Sequence, residues 1–340
     1  MKYLPILFSV LIVFSGCKGS GEDPAKNSSE NHAEILANYA DNFIIPSYND
    51  FKTSLASFET SLQASTIDIE ELRTESDELY TVWQSCSFYD FGPGLNYSLQ
   101  NNINIYPVDT ALVAKNIEKE ITYIDASTYA DQKGLPAIDF IVHSKQTLST
   151  KDIQYLQLVV DEMQERIGYV IDGWSSSYRD IFVANIGTDN GSAISTLVNA
   201  YIKYYERDFR DGKLGFPLGI RNFNEQLPLT AEAYYSTVSD DLLRANLEAI
   251  KSAFYGGEGL GIDHLLKDEN ASLLSKIGTQ WTAIEDKAQE VDAPIKDYMM
   301  TNQEDGKALY LEIQELLVLL KIELTSSLGV KINYVDTDGD

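Results

Sequence analysis

The chain has 340 residues, of which 44% are hydrophobic and 11% aromatic, and this apolar content favours a packed core and excludes an intrinsically disordered protein. Its 52 acidic residues against 26 basic ones give a formal net charge of −26, which repels phosphate backbones and excludes nucleic acid as the expected partner. With three histidines and two cysteines, zinc fingers and disulfide scaffolds are excluded, and any metal site must rely on oxygen ligands.

The N-terminal segment has the features of a lipoprotein signal peptide. Residues 4–14 form an almost unbroken apolar run, too short to cross a hydrocarbon core of about 30 Å as a helix. Small residues lead into Cys17 and resemble a bacterial lipobox, so residues 1–16 are predicted to be removed and Cys17 to carry the lipid. Lys18 stands where an inner-membrane retention signal would have aspartate, which favours the outer membrane. The alternative is an ordinary secretory signal with an incidental cysteine.

Residues 17–33 lack apolar periodicity and predict a solvated tether. A first helical bundle is predicted over residues 34–148. It opens with apolar residues at helical spacing from Ile35 to Phe58, in a helix that Pro46 is expected to kink, and continues with an antiparallel helix over 68–89. Cys86, near the end of that second helix, has no expected disulfide partner and is predicted to be a buried free thiol.

A second bundle is predicted over residues 149–340. Ser149 and Asp152 resemble a shortened capping box, and they open a connecting helix of about thirty residues with apolar positions at steps of three and four, up to Ile181. Further helical spacings follow around residues 194–205, 242–254 and 309–324, and strand alternation is almost absent. The predicted fold class is therefore all-α, with two domains that resemble four-helix bundles. A loose recurrence of residues 134–139 at 259–263 is compatible with internal duplication or with chance.

Several short motifs along the body, taken in order, resemble the imelysin family, bacterial exported proteins first described as insulin-cleaving membrane proteases and later linked to iron uptake. The motifs are Trp83-Gln84, Phe91-Gly92-Pro93, Ile105 to Thr110, Lys213 to Gly219, Glu232 to Ser236, and the Gly-Val and Asp-rich ending over 328–340. The resemblance implies two helical bundles with a ligand bound between them.

The signature of the family is Gly-x-His-x-x-Glu, and the matching positions here are Gly134, Pro136 and Asp139. The histidine is replaced by proline, which offers no side-chain ligand, and aspartate is shorter than glutamate by one methylene. His143 lies four residues after Asp139, on the same helical face, and could partly substitute for the missing ligand. The alternative is an ordinary surface pair.

Oxygen-rich side chains within these motifs suggest iron or calcium as a bound ion. The predicted metal ligands are Asp139, His143 and Glu206, and Asp109, Lys213 and Glu232 are candidates for the cleft that the resemblance implies. Lys213 could instead neutralise a carboxylate buried there, as could Arg210. A solvated acidic surface remains an alternative to any metal site.

No catalytic residue is predicted, because the sequence lacks HExxH, GxSxG and a positioned Cys–His pair. The resemblance implies a lipid-anchored envelope protein, attached to the membrane through Cys17, that binds a metal ion or an iron chelate in iron acquisition and works with an envelope transport partner. One alternative is an imelysin-type peptidase. Another is a structural or partner-binding lipoprotein with a degenerate site. The 21 tyrosines are predicted to serve mainly in packing.

Overall fold

A computed structural model of the chain describes residues 24–266 and 270–335, with side chains from residue 31 onward. These residues form helices and turns, and no β-strand occurs among them, which confirms the all-α prediction. The α-helices are α1 Pro24–Asn38, α2 Ile45–Leu62, α3 Ile69–Cys86, α4 Pro93–Asn96, α5 Leu99–Ile103, α6 Thr110–Lys119, α7 Gly134–Ser144, α8 Thr150–Gly173, α9 Arg179–Ala184, α10 Ala193–Tyr204, α11 Ser239–Tyr255, α12 Ala271–Gln289, α13 Ile295–Thr301, α14 Gln303–Val318 and α15 Thr325–Leu328.

Several long rods pass through a π-helical segment without a break in helical backbone. These segments, π1 to π4 in chain order, are Tyr39–Ile44, Trp174–Tyr178, Tyr205–Gly215 and Leu319–Leu324. The π1 turn joins α1 to α2 directly before Pro46, at the position where the sequence predicts a kink. Because the backbone is helical on both sides of this junction, Pro46 removes one N–H from a continuous rod. Short 3₁₀ turns occupy residues 127–132, 228–230 and 262–265.

The helices pack in two groups. The first contains α2, α3, α7 and α8, and the second contains α11, α12, α14 and the rod formed by α10 and π3. Helix α3 packs on α11 and so joins the groups. The hydrophobic core is continuous through both groups, and it includes one buried tryptophan each from α3, π2 and α12: Trp83, Trp174 and Trp281.

The connecting helix that begins at Ser149 and the N-terminal helix α1 differ in part from the sequence predictions. The capping box at Ser149 is present, and the helix it opens runs through π2 into α9, as the periodicity predicts. However, α8 packs against α2, α6 and α7, so the packing places it in the first bundle rather than at the opening of the second. Helix α1 begins at Pro24, inside the segment expected to be a tether.

The loose repeat also has two different structures. Gly134 opens the eleven-residue helix α7, whereas Ile262–Leu265 forms only a single 3₁₀ turn.

Within the described residues, no helix combines the length and the apolar character needed to cross a membrane. Cys86, at the end of α3, is a free and buried thiol, as predicted, and burial raises its pKa well above the ordinary value.

Candidate functional site

Helix α7 carries the degenerate signature and is buried along most of its length. Gly134 has φ +71°, and a Cβ there would lie 2.2 Å from the carbonyl oxygen of Ile103, so only glycine fits without a backbone shift. Pro136 lies in the first turn of α7, where its missing N–H leaves no helical bond unmade. The signature positions therefore begin a helix that enters the core between α5 and α3.

Asp139 stabilises a neighbouring turn. Its side chain is 2% exposed, and its two oxygens accept the backbone N–H groups of Tyr235, at 2.9 Å, and Ser236, at 2.8 Å. Burial raises the pKa of Asp139, while these hydrogen bonds and the nearby His143 partly oppose that rise. Both oxygens of the carboxylate therefore already hold the segment after Glu232 against α7.

His143 pairs with a residue of another helix and not with Asp139. Its Nε2 lies 3.2 Å from Oδ1 of Asp77 on α3, at side-chain exposures of 10% and 34%. The helical spacing does place both residues of α7 on one side, but Asp139 is turned toward the amides of residues 235 and 236. The proposed His/Asp substitute for the lost signature pair is therefore not formed.

A cavity of about 390 Å³ lies beside the signature helix. We call it the tyrosine cavity, because four tyrosines contribute to its wall: Tyr80, Tyr106, Tyr234 and Tyr235. The wall is completed by Pro107, Val108, Asp109, Thr110, Ala111, Pro136, Asp139, Leu229, Ala231 and Ala233. A volume of this size lies in the lower part of the range of small-molecule sites, roughly 300–1,000 Å³.

One polar group of this wall is left without a partner. The side chain of Tyr80 is fully buried, and its hydroxyl forms no hydrogen bond with any of the described residues. Burial raises the pKa of Tyr80 well above the ordinary value, and the charges of Asp139 and Glu232 act in the same direction, so the phenol stays neutral. It can offer one donor and accept hydrogen bonds.

Asp109, a predicted cleft residue, lies on the wall of this cavity. Its Oδ1 accepts the backbone N–H of Leu112 at 2.9 Å, and it is therefore the N-cap of α6. Of the predicted residues, Asp109, Pro136 and Asp139 are thus brought to one cavity. Both carboxylates, however, already stabilise a helix end or a turn.

Lys213 and Glu232 form a buried ion pair close to the tyrosine cavity. The ammonium of Lys213 bonds to one carboxylate oxygen of Glu232 and to Oε1 of Gln84 at 2.8 Å. The other oxygen of Glu232 accepts from Asn104 at 2.7 Å and from Gln84 at 3.2 Å. Of the two roles considered for Lys213, the structure shows the neutralisation of a buried carboxylate. Arg210 is a parallel case, since its Nε lies 2.7 Å from Asp211.

Glu206 belongs to a different part of the molecule. Its carboxylate is fully buried and accepts from Lys321, at 2.9 and 3.1 Å, and from the Tyr334 hydroxyl at 2.9 Å. The predicted ligands Asp139, His143 and Glu206 therefore have separate partners. No three His, Cys, Asp or Glu side chains over 24–266 and 270–335 form a group that could hold a metal ion. Cys17, the predicted lipidation site, lies outside the described residues.

Sequence reasoning did not give the tyrosines of the cavity wall a role in the site. It assigned the tyrosines mainly to packing, and many of them are indeed buried in the core. Tyr106, Tyr234 and Tyr235 lie within the motifs Ile105 to Thr110 and Glu232 to Ser236, which carry the family resemblance, and that position was the available signal. Tyr80 gives no such signal, since it lies on the buried face of α3, next to the core residue Leu79.

The chain was compared with known families, curated proteins and solved structures. No curated protein has a sequence that matches it significantly. An imelysin-like protein from Psychrobacter arcticum 273-4 matches with a TM-score of 0.75 and 16% identity, over 90% of this chain and 98% of the other. A protein named as a candidate iron-regulated protein A precursor, from Parabacteroides distasonis ATCC 8503, matches with a TM-score of 0.71 and 16% identity, over 91% and 97%. At this identity the two structures establish the fold.

The family comparison covers most of the chain. The sequence profile described as Peptidase M75, imelysin, matches residues 44–322. This range includes α2, α7 with its degenerate signature, the tyrosine cavity and both helix groups. The chain therefore belongs to the imelysin family.

Proposed function

We propose that this chain is a lipid-anchored binding protein of the bacterial envelope, which takes up iron as a preformed chelate in the tyrosine cavity and passes it to an envelope transport partner. The observation that carries the proposal is the chemistry of the cavity wall. Its two carboxylates accept backbone N–H groups, while the buried hydroxyl of Tyr80 has no partner among the described residues. Such a wall suits an organic ligand better than a bare cation.

A chelate needs no metal ligands from the protein. Bare iron or calcium requires several converging oxygen or nitrogen atoms, and the described residues offer no such group. In a chelate the organic part already coordinates the iron. The protein then has to supply apolar contact and a few hydrogen bonds, which the tyrosine and proline side chains of the wall provide.

Charge and size restrict the chelate further. The net charge of −26 disfavours anionic chelates such as ferric citrate at long range, so a neutral or cationic chelate is favoured. The volume of about 390 Å³ favours a small one. The name of the Parabacteroides distasonis relative associates that protein with iron regulation, which is consistent with this ligand class.

The test uses ferric tris(acetohydroxamate), a small neutral chelate, titrated into the purified full chain by calorimetry. We expect saturable binding of this chelate, weaker binding of ferric citrate, and none of the iron-free hydroxamate or of calcium. In Tyr80→Phe the affinity for the chelate should fall at least threefold. This substitution removes only the hydroxyl, which has no partner among the described residues and is proposed to form a hydrogen bond with the chelate.

Tyr89→Phe is the matched control. Tyr89 is also buried, and its hydroxyl also forms no hydrogen bond with the described residues, but it does not line the cavity. Tyr89→Phe should therefore leave binding of the chelate unchanged. The proposal is overturned if no ferric chelate binds, or if both tyrosine variants bind like the parent. Cleavage of denatured insulin or casein by the purified chain would instead favour the peptidase alternative.

The anchor is tested separately. Cells that express the chain and are fed radiolabelled palmitate should incorporate label into it, and Cys17→Ser should abolish both the label and membrane fractionation. Label retained in Cys17→Ser would contradict the proposed attachment through that sulfur.

A further inference from the structure

A second cavity, of about 330 Å³, adjoins the Tyr106–Pro107 segment. We call it the Asp208 cavity. Its wall is formed by Asn104, Ile105, Tyr106, Pro107, Arg207, Asp208, Gly212, Phe216 and Thr230. Tyr106 and Pro107 also line the tyrosine cavity, so the two spaces share this part of their walls.

Asp208 differs from the other buried or half-buried acids of π3. Glu206 and Asp211 are each held by a cation, whereas the carboxylate of Asp208 accepts no hydrogen bond from the described residues. The cations near it bond to other groups: Lys203 lies 3.1 Å from Asp90, and Lys213 bonds to Glu232. Arg207 donates through Nη2 to the carbonyl oxygen of residue 335, while its Nε has no hydrogen-bond partner among the described residues.

Asn104 supplies a second free acceptor at the same cavity. Its side chain is 6% exposed, and its amide nitrogen donates to Glu232 at 2.7 Å. That bond fixes the orientation of the amide, because a flipped amide would direct its oxygen at a carboxylate. Oδ1 of Asn104 is consequently left without a donor among the residues described.

We propose that the Asp208 cavity binds a small organic ammonium ion, with Asp208 as the counter-charge, Oδ1 of Asn104 as a hydrogen-bond acceptor, and Tyr106 and Phe216 as aromatic walls. An ammonium group brings three donors and a positive charge, which complement these acceptors and rings. The site does not depend on the function proposed for the tyrosine cavity.

Other ligand classes fit this wall less well. A divalent metal ion would need more ligands than one carboxylate and one amide oxygen. The unpartnered Nε of Arg207 would favour an anion, but Asp208 and the acceptor of Asn104 in the same wall would oppose it. The strongly negative chain as a whole attracts cations.

The affinity should depend on pH. Burial raises the pKa of Asp208 to about 7, and Asp90 adds to the rise, against the opposing charges of Lys203, Arg207 and Lys213. Glu232, the other acid beside this cavity, is held by Lys213. Because only the ionised carboxylate attracts the ligand, affinity should rise about tenfold from pH 6 to pH 8.

The experiment titrates ethylammonium chloride into the full chain at pH 6 and pH 8, with binding read from ligand-observed NMR line broadening. Ethanol serves as the uncharged analogue. We expect saturable binding of ethylammonium that is tighter at pH 8, and no saturable binding of ethanol. Asp208→Asn should weaken binding at least tenfold at pH 8. Asp286→Asn, which changes an exposed aspartate on α12, should leave it unchanged.

The proposal is overturned if ethylammonium does not saturate, if ethanol binds equally well, or if Asp208→Asn binds like the parent. Saturable binding of Ca²⁺ or Mn²⁺ that is lost in Asp208→Asn, without ammonium binding, would also overturn it. The pH series on the unmodified chain decides the matter should Asp208→Asn fail to fold. Binding of ferric tris(acetohydroxamate) should be unaffected by Asp208→Asn, so the two proposals can fail independently.

Discussion

The two cavities that share the Tyr106–Pro107 wall use their carboxylates in different ways. In the tyrosine cavity, Asp109 caps a helix and Asp139 holds a turn, so both acids serve the fold. In the Asp208 cavity, the carboxylate accepts nothing from the described residues. The number of acids at a wall is therefore a poor guide to ligand binding. The informative quantity is the number of lone pairs that the fold leaves unused.

The largest expected effect concerns a buried carboxylate that has its partners, Glu232. Lys213→Met should destabilise the chain by about 3–5 kcal/mol, because it leaves Glu232 buried without its cation, at 3% side-chain exposure. Urea unfolding followed by circular dichroism measures the change. Lys213→Met combined with Glu232→Gln should cost less than Lys213→Met alone. The exposed pair Lys287–Glu290 is the control, and Lys287→Met should change stability by less than about 1 kcal/mol.

The next effect concerns Asp208, the carboxylate that has no partner among the described residues. The pKa of Asp208 is about 7 in the folded chain against an ordinary value of 3.8, so the folded state holds this proton more tightly than the unfolded state. Stability from this group is therefore present at low pH and lost as pH rises from about 4 to 7. Relative to Asp208→Asn, the parent should lose up to about 4 kcal/mol over this window. Parallel pH profiles of the two proteins would contradict the assignment.

A smaller loss is expected at the turn that Asp139 holds. Asp139→Ala leaves the amides of Tyr235 and Ser236 without their acceptor and should cost about 2 kcal/mol. It should also weaken chelate binding, since Tyr235 lines the tyrosine cavity. Thermal unfolding and calorimetry measure the two effects. A loss of binding at full stability would instead indicate that Asp139 contacts the ligand itself.

The smallest effect concerns His143. The contact with Asp77 is partly exposed, so His143→Gln should change stability by less than about 1 kcal/mol and leave chelate binding unchanged. A large loss of iron binding in this variant would restore the metal-ligand role predicted from the sequence.

The fold was largely predictable because the helical periodicities are long and regular. The stripe is buried from Leu156 to Trp174, and the capping box at Ser149 is read directly from residue types. Beyond π2 the predicted position Ile181 is 60% exposed, and Phe182 is buried instead. The π turns were not predicted. The extra residue in a π turn shifts the positions of the apolar residues by one, and over a short stretch of sequence this shift cannot be told from ordinary variation in helical spacing. The position of α8 depends on which faces meet, and that is decided by tertiary packing.

The site was predictable only in its location. Helical spacing brings Asp139 and His143 to one side of α7, but their partners are distant in the sequence. Asp77 lies 66 residues before His143, and the amide of Tyr235 lies 96 residues after Asp139. No local pattern reveals that a carboxylate is already occupied by such distant groups. The sequence offered Lys213 as a possible partner of a buried carboxylate, because a buried acid requires a cation nearby, but it did not indicate that this acid is Glu232.

The enclosed sulfur at the end of α3 has a practical use. Cys86 packs at 1% exposure with its pKa raised by burial, so alkylating reagents should reach it only when the helices around it separate. The rate at which the peptide containing Cys86 is modified, followed by mass spectrometry, would then report how often the seam between α3 and its neighbours opens. A ligand that strengthens the packing of α3 against its neighbours would lower the rate of Cys86 modification without contacting the thiol.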